Sequence, residues 1–308
     1  MQLKKRFSNA IAQIYIICVY VPICIQLLWL CLEYKRKPTI LWKTNPLFPY
    51  GGMICGKSLI FQKFQQKKEN DAFLAKTLLI PRYDTIPEKI KQSETFIQKH
   101  RLHYPLILKP DDGIGGIGLH FIKDKKALHK TLTTLKKNYI LQEYVPWPSE
   151  LSVFFIRDPH QKNWKIWAIT RRYTIKKEQD PELMIPERKI ICKDESHLIT
   201  PALNRIFNTI SNVQWFYFGR FDVRVKDIDT FLSQGKDFTI LEVNVGAHSI
   251  ALHAFDTKYN RSQRYKIFFD QLKFAFEIAN KNRAIPSCYP KQTVNKFLKE
   301  FMDIYKNT

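Results

Sequence analysis

Two late segments of the chain carry carboxylate and amide side chains in the alternating pattern of a β-strand. They are FGRFDVRV at residues 218–225 and FTILEVNV at residues 238–245. If the two strands pair as a hairpin, Asp222, Glu242 and Asn244 come together, because side chains two apart on a strand share a face. Two carboxylates on one face repel unless a cation lies between them, and oxygen ligands suit Mg²⁺. The set predicts either a magnesium site or the polar outer face of an ordinary hairpin.

The same alternation predicts which side chains of these strands face the core. Arg220 and Arg224 should lie with Asp222 on the polar face. The predicted core residues are Phe221, Val223 and Val225 on the first strand and Leu241, Val243 and Val245 on the second.

Lys109 lies where an apolar strand meets a glycine-rich loop. It is near the end of YPLILKP, residues 104–110, and DDGIGGIG, residues 111–118, follows directly. Glycines let a loop turn its backbone amides toward an anion, and a lysine adds a point charge. A turn between two strands needs fewer glycines than the four present here. The pattern therefore predicts a phosphate-binding loop.

A further strand, YILQEYV at residues 139–145, carries Glu143, and Glu150 follows seven residues later in the segment VPWPSE. The backbone groups of a strand edge can pair with a flat heterocycle. Glu143 can accept a hydrogen bond from an exocyclic amine, and Glu150 can reach ribose hydroxyls. These residues indicate a nucleoside-binding edge.

The order of these features resembles the ATP-grasp superfamily, above all the D-alanine–D-alanine ligase-type carboxylate–amine ligases. A lysine after an apolar strand, a glycine loop, E-x(6)-E, R-x-D and E-x-N follow one another within roughly residues 70–285. The resemblance implies an α+β ATP-grasp fold in which two α+β subdomains clamp ATP. It also implies a ligase that uses ATP and Mg²⁺, or Mn²⁺, to join a carboxylate to an amine through an acylphosphate.

Carried over position by position, the resemblance implies a nucleotide-binding set and a catalytic set. In the nucleotide set, Lys109 binds the phosphates, and a loop over them contains Gly113, Gly115, Gly116 and Gly118. The adenine is bound by Glu143, Tyr144 and Val145, and the ribose by Glu150. Lys76 is a weaker candidate for a second phosphate lysine. The catalytic set is Asp222, Glu242 and Asn244 on the metal and Arg220 on the developing charge at the acyl centre. A substrate loop would fall at Gly246, His248 and Ser249, with no ligand assigned.

The segment GGMICGKS, residues 51–58, fits the phosphate-loop pattern of P-loop NTPases. A true P-loop follows a buried strand and opens a helix. The residues after it suit a helix, but the preceding KTNPLFPY holds two prolines and no apolar run. We therefore predict an accidental match: a Gly-Gly turn with Lys57 at a helix start, where it could face substrate.

Residues 11–32 form an apolar segment without a charged side chain, flanked by basic residues at 4–6 and 35–37. About 20 apolar residues span a bilayer as a helix. A transmembrane anchor, an interfacial helix on anionic lipid and a buried helix are the alternatives. If the rest of the chain uses ATP, it lies in the cytoplasm, either free or attached to the cytoplasmic face of a membrane.

The net charge of +22 on 308 residues suits anionic partners, or reflects a lysine-rich, solvated surface. No arginine-rich arm, zinc finger or RNP-type aromatic motif occurs, so a nucleic-acid partner is not expected. The six cysteines form no C-x-x-C pair, which is typical of a reducing compartment.

Two functions other than a ligase stay open from the sequence. One is a non-catalytic, membrane-associated ATP-binding or sensing module, and the other is a basic peripheral membrane or nucleic-acid binder.

The predicted organisation has four parts. They are an apolar N-terminal helix and candidate membrane anchor at 1–40, a short pre-lid region at 41–75, an ATP-grasp lid subdomain at 76–145 and a C-terminal subdomain with the metal site at 146–308. Within them, residues 58–78 are predicted to be helical and residues 175–198 a polar, mobile loop.

Overall fold

The computed structural model describes residues 21–112, 117–161, 164–175, 189–286, 288–289 and 293–306. The helices are α1 (21–33), α2 (Lys57–Gln65), α3 (Ile86–Lys99), α4 (Lys125–Leu132), α5 (Pro201–Ser211), α6 (Ile228–Gln234), α7 (Arg261–Lys281) and α8 (Val294–Lys306). The strands are β1 (Thr77–Ile80), β2 (Leu106–Pro110), β3 (His120–Ile122), β4 (Tyr139–Glu143), β5 (Ser149–Arg157), β6 (Trp164–Ile175), β7 (Lys189–Asp194), β8 (Phe218–Val225) and β9 (Phe238–Val245).

The first sheet has four strands in the order β1-β4-β2-β3, and all neighbours are antiparallel. Its apolar face packs against α3 and α4, where Phe96 and Leu128 meet Leu106 and Leu141. A capping box at Thr85 begins α3, because Thr85 accepts from the backbone of Glu88 and the Glu88 carboxylate accepts in return. The capping box and the apolar periodicity of α3 and α4 thus position these helices on the first sheet.

The second sheet has five strands in the order β7-β6-β5-β8-β9, again with antiparallel neighbours. Its two faces are covered by different helices. On one face, Phe64 of α2 and Phe207 of α5 pack against Phe221 of β8. On the other, Phe276 of α7 belongs to the same buried cluster as Phe154 of β5. Alternate residues of β5 and β8 therefore fill two separate cores.

A β-bulge interrupts the pairing of β8 with β9. Asp222 pairs with Glu242, but the next residue, Val223, pairs with Ile240. Ile240 therefore takes the core position predicted for Leu241, which is only partly buried, so that prediction is wrong. The other predicted core residues of the two strands are buried: Phe221, Val223, Val225, Val243 and Val245.

Two predicted elements are corrected. The helix predicted over 58–78 ends at Gln65, because the buried amide of Asn70 donates to the carbonyl oxygens of Phe64 (3.1 Å) and Ile210 (2.9 Å) and fixes a turn. The chain then enters β1. The loop predicted over 175–198 contains β7, whose backbone pairs with β6. Residues 176–188 lie outside the described residues.

Helix α1 has two apolar faces. Its inner face, with the fully buried Leu30, packs in the cluster of α7. The outer face carries large apolar side chains that are 47% to 78% exposed: Val21, Ile25, Leu28, Trp29 and Leu32. Among the described residues, no helix is both long and apolar enough to cross a membrane. Residues 11–20 of the apolar segment lie outside the described residues.

Candidate active site

Asp222 lies at the centre of a buried hydrogen-bond network on β8. Its carboxylate accepts from Arg220 Nε (2.8 Å) and Nη2 (3.0 Å), from Ser152 Oγ (2.7 Å) and from Asn244 Nδ2 (3.1 Å). Burial alone would raise the pKa of Asp222, but the charges of Arg220 and Arg172 hold it well below its usual range. Asp222 is therefore an anion at neutral pH.

Lys109 joins the two sheets beside this network. The bulge in β9 leaves the carbonyl oxygen of Leu241 to accept from Lys109 Nζ (3.4 Å) and from Gln142 Nε2 (3.1 Å). Desolvation lowers the pKa of Lys109, and the nearby charge of Glu242 opposes that shift. The predicted phosphate lysine on β2 thus lies next to the predicted metal ligands on β8 and β9.

Glu150 and two arginines complete the charged face of the second sheet. Glu150 is the cross-strand partner of both Arg172 and Arg224, and it forms an ion pair with Arg172. Arg172 Nη2 also lies 3.7 Å from Asp222 Oδ2. Burial lowers the pKa of Arg172, but the Asp222 and Glu150 carboxylates more than offset this and raise it. Glu150, predicted to bind ribose, is thus tied to the same network as Asp222.

The predicted adenine hinge follows β4. Glu143 Oε1 accepts from the backbone N–H of Lys76 (3.1 Å), and burial raises the pKa of Glu143. The ring of Tyr144 meets Phe121 edge to face at 5.3 Å, and Val145 is buried. The ammonium of Lys76 lies 2.9 Å from the Asp71 carboxylate.

Of the predicted glycine loop, Gly118 is described and Gly113, Gly115 and Gly116 lie outside the described residues. Gly118 has φ +75°, and a Cβ there would lie 2.9 Å from the ring of Pro110. This glycine allows the chain to return close to the end of β2.

The predicted substrate residues lie on the turn after β9. Gly246 has φ +100° and packs directly on the Gly51–Gly52 backbone. Desolvation and the charge of Arg220 lower the pKa of His248 to about 4. Ser249 is only 4% exposed, and its hydroxyl has no hydrogen-bond partner among the described residues. Arg220 lies near this turn, since its charge acts on His248 and its Nη1 donates to the carbonyl oxygen of Ile250 at 2.9 Å.

The GGMICGKS segment forms the predicted Gly-Gly turn and helix start. Gly51 and Gly52 have φ +66° and +93°, and Lys57 is the first residue of α2. The preceding described residues form a 3-10 helix and turns rather than a strand. The carboxylate of Asp111 accepts from Ser58 N (2.7 Å) and Ser58 Oγ (2.9 Å). An internal carboxylate thus occupies the position that phosphate takes in a P-loop.

The candidate site holds more positive than negative charge. Its basic side chains are Lys57, Lys109, Arg172, Arg220 and Arg224, and its carboxylates are Glu150, Asp222 and Glu242. Such an excess suits a polyphosphate.

The predicted metal ligands offer the right kind of donor for Mg²⁺. No group of three His, Cys, Asp or Glu side chains suited to a metal occurs among the described residues. Two carboxylates on paired residues, Asp222 and Glu242, with the amide of Asn244, nevertheless fit an ion that takes its remaining oxygens from phosphate and water.

A comparison with protein-family models identifies a domain that includes part of this site. Residues 64–156 match the RimK-like ATP-grasp domain. The match covers the four-stranded sheet, the hinge and most of β5. With the two antiparallel sheets, it confirms the predicted resemblance to the ATP-grasp superfamily and the α+β ATP-grasp fold class. A comparison with curated proteins gave no match.

Several solved ATP-grasp ligases have distantly similar structures. D-alanine–D-alanine ligase from Bacillus anthracis has a TM-score of 0.48 and 16% identity, covering 75% of this chain and 69% of that chain. VanG D-Ala:D-Ser ligase from Enterococcus faecalis has a TM-score of 0.45 and 14% identity, covering 73% and 62%. D-alanine–D-alanine ligase from Coxiella burnetii has a TM-score of 0.45 and 9% identity, covering 83% and 62%.

Sequence analysis did not identify one charged residue of the candidate site, Arg172, or Asp111, which binds the start of α2 beside it. Arg172 lies in the run TRRY of β6, and only the register that pairs it with Glu150 brings it to Asp222. Asp111 begins the glycine loop, yet its carboxylate turns back to α2. The basic pair at 171–172 in a strand was the available signal for the first, and no local signal identifies the second.

Proposed function

We propose that the chain is an ATP- and Mg²⁺-dependent ligase that joins a carboxylate to an amine through an acylphosphate. One observation carries the proposal: Lys109, from the first sheet, reaches the Leu241 carbonyl beside Glu242 on the second. The Arg220–Asp222 pair lies on the neighbouring strand. Groups suited to phosphate and to an acyl centre therefore converge between the two sheets, next to a segment that matches an ATP-grasp domain.

The proposed reaction has two displacements. A carboxylate oxygen of the substrate attacks the γ-phosphorus of ATP, and ADP leaves. The nitrogen of an amine then attacks the acyl carbon, loses a proton, and phosphate leaves. Mg²⁺ held by Asp222, Glu242 and Asn244 would neutralise phosphate charge and orient the triphosphate. Lys109 and Arg172 supply fixed positive charge to the same phosphates.

Arg220 is proposed to stabilise the oxyanion of the second displacement. Asp222 holds its guanidinium at two points, and Arg220 Nη1 donates to the Ile250 carbonyl at 2.9 Å. An arginine fixed in this way costs little reorganisation when negative charge develops beside it. The neighbouring Gly246, His248 and Ser249 are proposed to contact the substrate.

The nucleoside is proposed to lie at the end of β4. Glu143, Tyr144 and Val145 would contact adenine, and Glu150 the ribose. Gly113, Gly115, Gly116 and Gly118 would cover the phosphates. Lys76 has a weaker claim to the phosphates, because its ammonium is paired with Asp71.

Hydroxylamine tests this function, because it can replace the unknown amine. The full chain is incubated with Mg-ATP, hydroxylamine and pools of carboxylic acids, and ADP and hydroxamate are measured together. We expect both products from at least one pool and neither from Lys109→Ala. If the chain binds ATP but forms no ADP with any of the pools, a non-catalytic ATP-binding module is favoured instead.

We also propose that α1 places the enzyme on the cytoplasmic face of an anionic membrane. The outer stripe of α1 is apolar and exposed, while its inner face is fixed to α7. Exposed Lys35, Arg36 and Lys37 follow the helix directly. An apolar stripe beside a basic cluster is the pattern of an interfacial helix on anionic lipid.

A further inference from the structure

Lys57 brings a positive charge into the site from outside both sheets. Its ammonium lies 3.5 Å from Glu242 Oε1, and its side chain is only 12% exposed. Glu242 also interacts with the charge of Lys109, so two lysines from different parts of the chain lie around one carboxylate.

The position of Lys57 is fixed by the residue that begins the glycine loop. The backbone N–H of Lys57 donates to the Asp111 carbonyl at 3.0 Å, and the Asp111 carboxylate binds Ser58. A Cβ at Gly56 would lie 2.3 Å from Asp111 Oδ2, so a larger residue there would push the Asp111 carboxylate away from α2. Because Asp111 follows Lys109 by two residues, one short stretch of chain positions both lysines.

The distance to Glu242 brings Lys57 within reach of a bound phosphate. Glu242 is one of the residues that would hold Mg²⁺, so a phosphate bound to that ion would lie close to the Glu242 carboxylate. A lysine beside this carboxylate can reach such a phosphate by rotating its flexible stem. The backbone amide of Ser58 is taken by Asp111, so a phosphate contact from this segment would come from the side chain of Lys57 and not from a backbone cradle.

We propose that Lys57 is an additional polyphosphate-binding residue, which leaves Glu242 for a phosphate oxygen when Mg-ATP binds. The proposal rests on the ligase function proposed above. It gives the GGMICGKS segment a role in presenting a lysine to the site, distinct from that of a P-loop.

The test compares Lys57→Gln and Lys57→Arg with Lys63→Gln, which removes the same charge from the same helix. Thermal midpoints of the full chain are measured against ATP, AMP and inorganic tripolyphosphate, each with Mg²⁺. We expect Lys57→Gln to raise the half-saturating concentrations of ATP and tripolyphosphate about tenfold, since it loses a charge-assisted contact. AMP should be unaffected, Lys57→Arg should retain most of the affinity, and Lys63→Gln should match the wild type.

Two results would overturn the assignment. One is a Lys57→Gln variant that responds like Lys63→Gln, or that loses AMP and ATP responses equally. The other concerns Asp111→Ala. If Lys57 binds the polyphosphate, this variant should bind ATP more weakly, because Asp111 positions Lys57. Tighter ATP binding would instead show that the freed start of α2 binds phosphate through its backbone. If the wild type ignores ATP, or Lys109→Ala responds normally, the proposed function fails instead.

Discussion

Asp222 receives hydrogen bonds from three side chains and lies within 3.7 Å of a second arginine. Its environment has two consequences at the scale of single residues. The carboxylate compensates buried positive charge, and it keeps Arg220 in one orientation. A buried charge that loses its partner is far more costly than an exposed one.

Replacing Asp222 with asparagine should therefore destabilise the fold as well as the site. We expect Asp222→Asn to lower the free energy of unfolding by about 3 kcal/mol or more, because Arg220 is left buried without its counter-charge. Urea unfolding of the full chain measures the change. Asp229→Asn, an exposed position on α6, is the control, and equal midpoints for the two variants would contradict the account.

Stability should fall in acid. Burial acts to raise the pKa of Asp194, but hydrogen bonds from Ser196, Tyr259 and Lys258 hold it well below its usual range, as the arginines do for Asp222. Such carboxyls bind fewer protons folded than unfolded, so their contribution is complete above about pH 5 and is lost as pH falls further. Unfolding free energies measured between pH 7 and pH 3 should decline, less steeply in Asp194→Asn. An equal slope in that variant would contradict the assignment.

Strand alternation was enough to place Asp222, Glu242 and Asn244 on one face, since a period of two is a local property. Arg172 could not be placed in the same way. Its proximity to Asp222 depends on the register of β5 with β6, which no residue of TRRY specifies. The contact of Asp111 with Ser58 joins positions 53 apart, and local patterns carry no information at that separation.

At the scale of elements, the bulge in β9 aligns the two halves of the site. It turns the Leu241 carbonyl toward Lys109 and Gln142 on the first sheet. Strand identity and bounds were predictable for β8 and β9, because both are long and alternate cleanly. The bulge was not, because FTILEVNV contains no glycine or proline that would mark an extra residue.

Helix α1 yields a prediction at this scale. Replacing Ile25, Leu28 and Leu32 with serine should weaken binding to phosphatidylglycerol-containing vesicles about tenfold or more, since each buried CH₂ contributes about 0.8 kcal/mol to membrane association. Co-sedimentation measures the bound fraction. The inner face stays intact, so the thermal midpoint should change little.

The control for that experiment is Ile190→Ser, another exposed apolar position, on β7. It should bind vesicles like the wild type. Undiminished binding by the triple variant would contradict the interfacial role of α1, and binding to neutral vesicles alone would contradict the part assigned to the basic cluster.

At the scale of the whole molecule, the region predicted as pre-lid, residues 41–75, packs against the second sheet. Phe61 and Phe64 of α2 lie in the core with Phe216 and Phe221, and the Gly51–Gly52 turn packs on Val245. Composition predicted a short region here but not its packing, because burial of α2 depends on a sheet formed about 150 residues later. The fold class could be predicted nevertheless, because it was inferred from the order of the motifs along the chain and not from long-range packing.

The net charge of +22 takes a specific form in the structure. Part of the excess is concentrated between the sheets, where five basic side chains meet three carboxylates. A site of this kind should bind a triphosphate with its metal more strongly than a general polyanion surface would. Binding of ATP is therefore the property that separates the ligase account from a basic peripheral binder.

The most direct test is the thermal midpoint of the full chain with and without Mg-ATP, for the wild type, Lys109→Ala and Lys63→Ala. Ligand at 100 times its dissociation constant stabilises the folded state by about 2.7 kcal/mol. We expect a rise in midpoint for the wild type and Lys63→Ala and none for Lys109→Ala. An equal rise in all three proteins, or none in the wild type, would contradict an ATP site built on Lys109.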